Sequence, residues 1–282
     1  MPLTITIDWL ALNFKEYTHD AHEFIRSYAS FAPTQATNPR FGYSEASVDD
    51  NGTIIQWNPD REDMGHHVIF AGSALRNLFE HTRVDPRTLL RACTNAGGNI
   101  SRLDLACDLQ GETLDLSRLY QSLEQGNNAG ASRTFGQIKS NGGGMTVYVG
   151  SRQSERFIRI YDKSAQMGET PNKWYRFEVE TKGMVSRALA NMLVVQRDWL
   201  SVFVGVSSAM VSIPGSPDLA AFYNAASASI GTPKIEKSSN TEAWIATQVI
   251  GAVSKWYIDN PSSEAIARLI ATLQLIDQQR KL

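Results

Sequence analysis

The stretch NISRLDLACDL, residues 99–109, constrains the fold more than any other part of the chain. Its odd-numbered positions from 103 onwards are apolar: Leu103, Leu105, Cys107 and Leu109. Its even-numbered positions carry Arg102, Asp104, Ala106 and Asp108. Because successive side chains of a strand point to opposite faces, this pattern predicts a strand with one buried face and one charged face. The chain is therefore expected to build a sheet with a core on one side.

Two later stretches show the same alternation. KWYRFEVETKG, residues 173–183, places Arg176, Glu178 and Glu180 on one face, and Tyr175, Phe177 and Val179 on the other. RFIRIYDK, residues 156–163, places three polar side chains on one face just after Phe157: Arg159, Tyr161 and Lys163. A surface strand that meets water would explain this last pattern on its own, since tyrosine favours strands.

The remaining patterns indicate further strands and helices. MPLTITIDWLALNF alternates as a first strand, and residues 41–48 and 52–57 have the pattern of a hairpin. Asp85 before Pro86, and Asp115 further on, are typical helix N-caps. From about residue 184 the chain is alanine-rich and helical, apart from a linker predicted over 231–241. We predict an α+β fold with a mostly antiparallel sheet and flanking helices, a catalytic domain over 1–183 and a helical C-terminal region over 184–282.

Charge is distributed unevenly along the chain. The net charge is −2, yet residues 131–187 hold 10 Lys+Arg and 5 Asp+Glu, a net charge of +5. Residues 1–130 are net −7 and residues 188–282 are neutral. A basic segment is often only a solvated face, but it is also the first candidate for a phosphate-binding surface.

Other features narrow the class of protein. The most apolar stretch, SVFVGVSSAMVSI, is too short to span a membrane, and the N-terminus has no basic leader of a signal peptide. The two cysteines, Cys93 and Cys107, form no CxxC pair and are expected to be buried thiols in a reducing compartment. These patterns predict a cytoplasmic protein without a membrane partner.

The carboxylates on the predicted polar face require neutralisation, because like charges on one sheet repel. Arg102 and Arg176 could supply it as a salt-bridge lattice. A bound divalent cation is the alternative that we favour, since clustered carboxylate oxygens suit Mg²⁺ or Mn²⁺.

Five stretches in this order resemble the replication initiation factor family of plasmids and phages, the Rep-trans group of rolling-circle initiators, which also includes relaxases of integrative elements. They are DWLALNF, HHVIFAGSAL, ISRLDLACDL, TVYVGSRQSERFIRIYDK and WYRFEVETKG, and the resemblance covers roughly residues 5–183. It implies an enzyme that nicks and rejoins single-stranded DNA.

The resemblance also implies roles for individual residues. The nucleophilic tyrosine of the family matches Tyr161. Its metal-binding acids match Asp104, Asp108 and Glu178, and Glu180 is a weaker match. We predict Arg102, Arg152, Arg156 and Arg176 as DNA-binding residues. A homodimer and a host helicase partner are further implications of the resemblance.

The chemistry of a phenol explains what the neighbouring residues would do. With a reference pKa near 10, a phenol is a poor nucleophile at neutral pH. We expect Arg159 and Lys163 to favour the phenolate of Tyr161 and the metal to polarise the scissile phosphate. Attack would leave a 5′-phosphotyrosine and a free 3′-hydroxyl that primes a polymerase.

Several alternatives stay open. The chain fits a relaxase for conjugative transfer equally well, and a non-catalytic origin-binding protein or a metal-only nuclease less well. Tyr148 and Tyr175 are rival nucleophiles, although Tyr175 falls on an apolar face. Adjacent His66 and His67 point to opposite faces of a strand and cannot chelate one metal together. The glycines of NGGGMTVYVGSR predict a hairpin turn, and Trp174 is a candidate for base stacking.

Overall fold

The computed structural model describes residues 3–16, 18–29, 35–82, 84–139, 144–168, 173–226 and 231. The strands are β1 (Leu3–Phe14), β2 (Gln35–Ala36), β3 (Glu45–Val48), β4 (Thr53–Trp57), β5 (His66–Phe70), β6 (Asn99–Gln110), β7 (Phe135–Lys139), β8 (Met145–Val149), β9 (Arg156–Asp162) and β10 (Trp174–Lys182). The helices are α1 (His19–Tyr28), α2 (Gly72–Thr82), α3 (Pro86–Asn95), α4 (Leu116–Glu124), α5 (Lys163–Gln166), α6 (Gly183–Val195), α7 (Trp199–Ser208) and α8 (Pro217–Tyr223).

Within these residues the strands form one antiparallel sheet in the order β2-β3-β4-β5-β1-β6-β10-β9-β8-β7. The strands with the strongest sequence patterns, β6, β10 and β9, lie side by side at its centre. The predicted α+β class and antiparallel sheet are confirmed. The predicted hairpin is β3 paired with β4, and β7 pairs with β8 across the glycine-rich segment, whose residues 140–143 lie outside the described ranges.

One face of the sheet forms the hydrophobic core. Leu103, Leu105 and Phe177 are at most 1% exposed and belong to the main cluster of buried apolar side chains. Phe177 packs edge-on against Phe203 of α7 and Phe222 of α8, with ring centroids 5.1 and 5.3 Å apart. The helices therefore cover the apolar face.

Helices α6, α7 and α8 share this core with the sheet. One compact unit covers residues 1–235 and a second covers 236–282, so the change of composition near residue 184 marks the start of α6 inside the first unit. The predicted linker beyond residue 231 and the predicted helices of the last forty residues lie outside the described ranges.

Local capping agrees with the sequence patterns. The Asp85 side chain accepts a hydrogen bond from the backbone N–H of Arg87 at the start of α3, and Asp115 accepts one from Arg118 at the start of α4. Asp162 caps α5 in the same way, through the backbone N–H of Ala165. The acid after Tyr161 therefore ends β9 and starts a helix. Among the described residues, no helix has the length and apolar character needed to cross a membrane.

Candidate active site

The register of the three central strands brings the predicted polar side chains into adjacent rows. Tyr161 of β9 lies opposite Arg176 of β10, which lies opposite Asp108 of β6. In the next row, Arg159 lies opposite Glu178. Directly opposed side chains of an antiparallel pair come within contact distance, so residues far apart in sequence meet on the open face.

Arginines pair with most of the carboxylates of this face. Arg102 binds Asp104 with two hydrogen bonds, of 2.9 and 2.6 Å, and reaches Glu180 at 2.9 Å. Arg159 of β9 contacts carboxylates of two other strands, Asp104 of β6 at 3.2 Å and Glu178 of β10 at 2.8 Å. This continuous chain of ion pairs corresponds to the salt-bridge lattice.

Arg176 forms a second, deeper group of ion pairs. Its Nε and Nη2 donate to the two carboxylate oxygens of Asp108, each at 2.7 Å, and its Nη1 donates to Asp8 Oδ1 at 2.5 Å. Arg176 is only 5% exposed, so the charge that we expected to meet DNA is used inside the protein. The physical reason is its central position, where burying a guanidinium requires carboxylate partners.

Asp8 is a member of the site that the charge pattern alone did not reveal. The β1–β6 register shifts between Ile7 and Trp9, so Asp8 occupies an irregularity that turns its side chain toward Arg176. The signal that could have found it is the charge in DWLALNF, an acid inside an otherwise apolar strand.

Tyr161 makes a short hydrogen bond to a carboxylate. Its hydroxyl donates to Glu178 Oε1 at 2.6 Å. Burial, together with the Glu178 charge, raises the pKa of Tyr161 well above its usual range, while Arg176 acts in the opposite direction. The prediction that Arg159 and Lys163 favour the phenolate stays a prediction, and in this arrangement the net shift raises the pKa of Tyr161. Arg159 is neutralised by two carboxylates, and Lys163 Nζ lies 5.7 Å from the Tyr161 ring and donates to Gln166.

Each of the three predicted metal ligands is paired with an arginine. Asp104 is bound by Arg102, Asp108 by Arg176, and Glu178 by Arg159. Over the described part of the chain, no group of three or more His, Cys, Asp or Glu side chains stands ready to hold a metal ion. The residues as arranged fit the salt-bridge lattice better than a three-carboxylate cage, and the need for Mg²⁺ or Mn²⁺ stays a prediction.

Burial also affects the protonation of Asp104, which is 1% exposed. Removal from water raises the pKa of Asp104 to about 6, against the opposing effect of Arg102. The pKa of Glu178 is likewise raised, mainly by burial, although Arg159 lowers it. Both shifts bring carboxylates toward the neutral range, where proton exchange is useful for catalysis.

These side chains surround an open cavity of about 490 Å³, which we call the site cavity. Its lining includes Asp8, Trp9, Arg102, Asp104, Tyr148, Arg152, Arg159, Tyr161, Lys163 and Glu178. Two of the predicted DNA-binding residues, Arg102 and Arg152, therefore border the cavity. Arg156 does not line the site cavity. Its side chain points to the opposite face of β9, together with Ile158 and Ile160.

The rival residues take different positions. Tyr175 is 5% exposed in the core, as its apolar face predicted. Tyr148 lines the site cavity, but its ring stacks on Phe157 at 5.6 Å. Trp174 is half-buried, and Lys163 and Arg176 lie 5.9 and 5.8 Å from the centre of its ring.

A solved structure shares the fold of this chain. The structure of the rolling-circle replication initiator protein from Geobacillus stearothermophilus superimposes with a TM-score of 0.65 at 21% identity, over 75% of this chain and 87% of that chain. The helix-backed antiparallel sheet is thus the fold of a rolling-circle replication initiator.

Two sequence comparisons show what the chain is similar to. Residues 98–218 match the family described as "Replication initiation factor". "Putative DNA relaxase NicK" of Bacillus subtilis (strain 168) is 23% identical over 216 residues, which cover 70% of this chain. The chain spans 60% of the length of that relative. These matches confirm the resemblance to the replication initiation factor family and its relaxase relatives, and the matched segment contains every predicted site residue.

Proposed function

We propose that this protein nicks and rejoins single-stranded DNA through a 5′-phosphotyrosine on Tyr161 and thereby starts rolling-circle replication. The observation that carries the proposal is the 2.6 Å hydrogen bond from Tyr161 to Glu178 in a cavity bordered by arginines. A nucleophile that contacts its proton acceptor directly is typical of covalent catalysis. The family match and the relaxase relative support the same reaction class.

Glu178 supplies the base for the first half of the reaction. A neutral phenol is a weak nucleophile, so the proton must leave as the bond to phosphorus forms. Glu178 accepts this proton, and its raised pKa makes it a stronger base than an exposed glutamate. The Tyr161 oxygen bonds to phosphorus while the bond between phosphorus and the 3′-oxygen breaks.

The departing 3′-oxygen needs a proton, and Lys163 is placed to give it. Lys163 lines the site cavity, and burial, followed by the effect of Arg176, lowers the pKa of its ammonium group. A lowered pKa makes the group a better acid. The products are a 5′-phosphotyrosine and a free 3′-hydroxyl, and the reverse sequence of transfers rejoins the strand.

Arg159 and Arg152 are the cations that a bound phosphate would meet. Arg159 is partly exposed at the cavity, and its attraction to Glu178 weakens once Glu178 is protonated. Its charge then becomes available to the phosphate as negative charge develops there. A divalent cation, when bound, would add polarisation of the scissile phosphate.

Relaxase activity in conjugative transfer is the second candidate, and the Bacillus subtilis relative favours it. Its chemistry at the DNA strand is the same. The two functions differ in the step after the nick: extension of the 3′-hydroxyl by a polymerase, or transfer of the strand to another cell. We therefore propose the nicking reaction for both, with DNA as the partner, a homodimer as the assembly and a host helicase as the accessory protein.

Incubation with end-labelled single-stranded origin DNA and Mg²⁺, followed by denaturing gels, tests the proposal. A DNA band shifted by the mass of the protein, and removed by protease, is the expected result. Free cut ends without the shifted band would instead indicate a metal-only nuclease. Binding without any cutting would indicate a non-catalytic origin-binding protein.

A further inference from the structure

A second cavity opens on the same face of the sheet as the site cavity. Its volume is about 670 Å³, and Trp9, Arg102 and Arg152 line both cavities. We call it the aromatic cavity, because Trp9, Phe41, Tyr43 and His67 lie in its lining. Its volume is in the range of cavities that hold small organic molecules.

We propose that the aromatic cavity binds an unstacked base of the single-stranded DNA next to the scissile phosphate. The proposal rests on the proposed nicking function, because a strand that places a phosphate beside Tyr161 extends into the neighbouring cavity through the shared wall at Trp9 and Arg152. Single-stranded nucleic acid is generally held by aromatic rings on which bases stack and by cations that follow the backbone.

Two rings of this cavity are stacked, and a third meets one of them edge-on. Tyr43 and His67 are parallel, with centroids 5.7 Å apart and an interplanar angle of 6°. Phe41 meets His67 edge-on at 5.6 Å. Arg102 lies over the Trp9 ring at 4.6 Å. Flat surfaces are thus already in place, so little ordering of the protein is needed when a base enters.

Hydrogen bonds hold Tyr43 and His67 in these orientations. The Tyr43 hydroxyl accepts from Asn13 at 2.7 Å and donates to the backbone oxygen of Met64 at 3.1 Å. Gln56 lies 3.0 Å from His67 Nδ1, so its amide donates to that nitrogen. Because burial lowers the pKa of His67 to about 4, the ring is neutral and serves as an aromatic surface.

Phe41 shows the local strain that often accompanies a functional position. It has a φ of +60°, a conformation that a bulky residue rarely adopts, and it is 71% exposed. In this position the apolar ring faces water, so it does not stabilise the fold by burial in the core, and its backbone conformation is strained. At the mouth of a cavity that receives a base, the same ring gains a stacking partner.

Cations at the border suit the backbone of the strand. Arg152 lies 4.9 Å from the Phe157 ring in the wall shared with the site cavity, and Lys182 lines the aromatic cavity. Lys182 also pairs with Glu180 at 2.9 Å. Phosphates on either side of the bound base would meet these cations. Arg102 and Arg152 also line the site cavity that contains Tyr161.

Photocrosslinking tests the placement directly. The probe is single-stranded deoxythymidine homopolymer with 5-iododeoxyuridine at alternate positions, which crosslinks to stacked aromatic side chains. We expect crosslinked peptides that contain Trp9, Phe41 or Tyr43 in the full-length protein. Crosslinks confined to other aromatic residues, such as Trp174 or Tyr148, would overturn the proposal.

Fluorescence anisotropy with the same polymer measures how much the Phe41 ring contributes to the binding affinity. Phe41→Ala should weaken binding about tenfold, because one stacked base is lost, while Phe41→Tyr keeps nearly full affinity. Val195→Ala, which removes another exposed apolar side chain from α6, serves as the matched control and should change nothing. The dependence of affinity on salt should be unchanged in Phe41→Ala and reduced in Arg152→Ala.

These outcomes separate the two proposals. If the protein binds the polymer and forms the Tyr161 adduct, but Phe41→Ala behaves like Val195→Ala, the base site is wrong and the nicking function stands. If the protein binds no single-stranded DNA under any salt condition, both are wrong.

Discussion

The hydroxyl of Tyr161 donates a 2.6 Å hydrogen bond to Glu178, a carboxylate that sequence reasoning assigned to a metal. The two residues lie on adjacent strands, with Glu178 one row away from Tyr161. Burial raises the pKa values of both groups. In the proposed reaction, this pairing makes Glu178 the acceptor of the Tyr161 proton.

Glu178→Gln should slow single-turnover nicking by at least about a hundredfold at neutral pH, since an amide cannot accept the proton. The wild-type rate should level off above the pKa of Glu178, whereas the variant rate should keep rising as hydroxide takes over the role of the base. Quenched-flow measurements across the pH range test this. The matched control, Glu180→Gln, should lose less nicking rate and keep the pH profile of the wild type. Equal nicking rates in Glu178→Gln and wild type would show that Glu178 is not the base.

Asp104 gives a prediction for stability. Its pKa is about 6 in the folded protein against 3.8 ordinarily, so the folded state holds a proton more tightly than the unfolded state. The resulting stabilisation is complete below the unfolded pKa and is lost as pH rises through about 6. Asp104→Asn cannot titrate. The free energy of unfolding of wild type minus that of the variant should fall by about 2 kcal/mol between about pH 4 and pH 7.

Urea titrations at several pH values measure that difference. A difference that stays constant from acid to neutral pH would show that Asp104 titrates normally and that its burial has no electrostatic cost.

The divalent cation is tested by removal and return. We expect nicking to stop in chelator and to recover with Mg²⁺ or Mn²⁺, because the scissile phosphate then regains its polarising cation. Calorimetric titration with Mn²⁺ should show weaker binding in both Asp104→Ala and Glu178→Ala. Full nicking in chelator, or unchanged Mn²⁺ affinity in both variants, would leave the salt-bridge lattice as the whole explanation of the carboxylates.

The number of nucleophiles leads to a prediction for assembly. In the proposed reaction, a complete replication round needs a second attack after Tyr161 is esterified. Tyr148, whose ring stacks on Phe157, lacks a carboxylate like Glu178 among its described contacts. A second subunit would supply a second Tyr161, so we predict a homodimer on DNA. Sedimentation velocity with and without a nicked hairpin tests this. A monomer that completes cleavage and strand transfer in both conditions would show that one subunit suffices.

Much of the fold could be predicted because it depends on local patterns. The alternation around Asp104, Tyr161 and Glu178 correctly separated the polar face from the core, and it placed Tyr175 in the core. Asp85 and Asp115 marked helix starts through short-range hydrogen bonds. Each of these features depends on neighbours within a few residues.

The details of the site could not be predicted, because they depend on register between distant strands. Alternation says that Arg176 and Tyr161 share a face, but only the pairing of β9 with β10 makes them neighbours. The role of Asp8 depends on an irregularity in β1 that no residue pattern announces. The raised pKa of Tyr161 depends on burial and on the charge of Glu178, and neither follows from counting the cations beside it in sequence.

The most direct test of the account is to locate the covalent bond. The wild-type protein, incubated with single-stranded origin DNA and digested with protease and nuclease, should yield a nucleotide-bearing peptide modified at Tyr161. Tyr161→Phe should bind DNA with nearly unchanged affinity and form no adduct, while Tyr148→Phe should still form it. An adduct that persists in Tyr161→Phe and disappears in Tyr148→Phe would contradict the assignment of Tyr161 as the nucleophile.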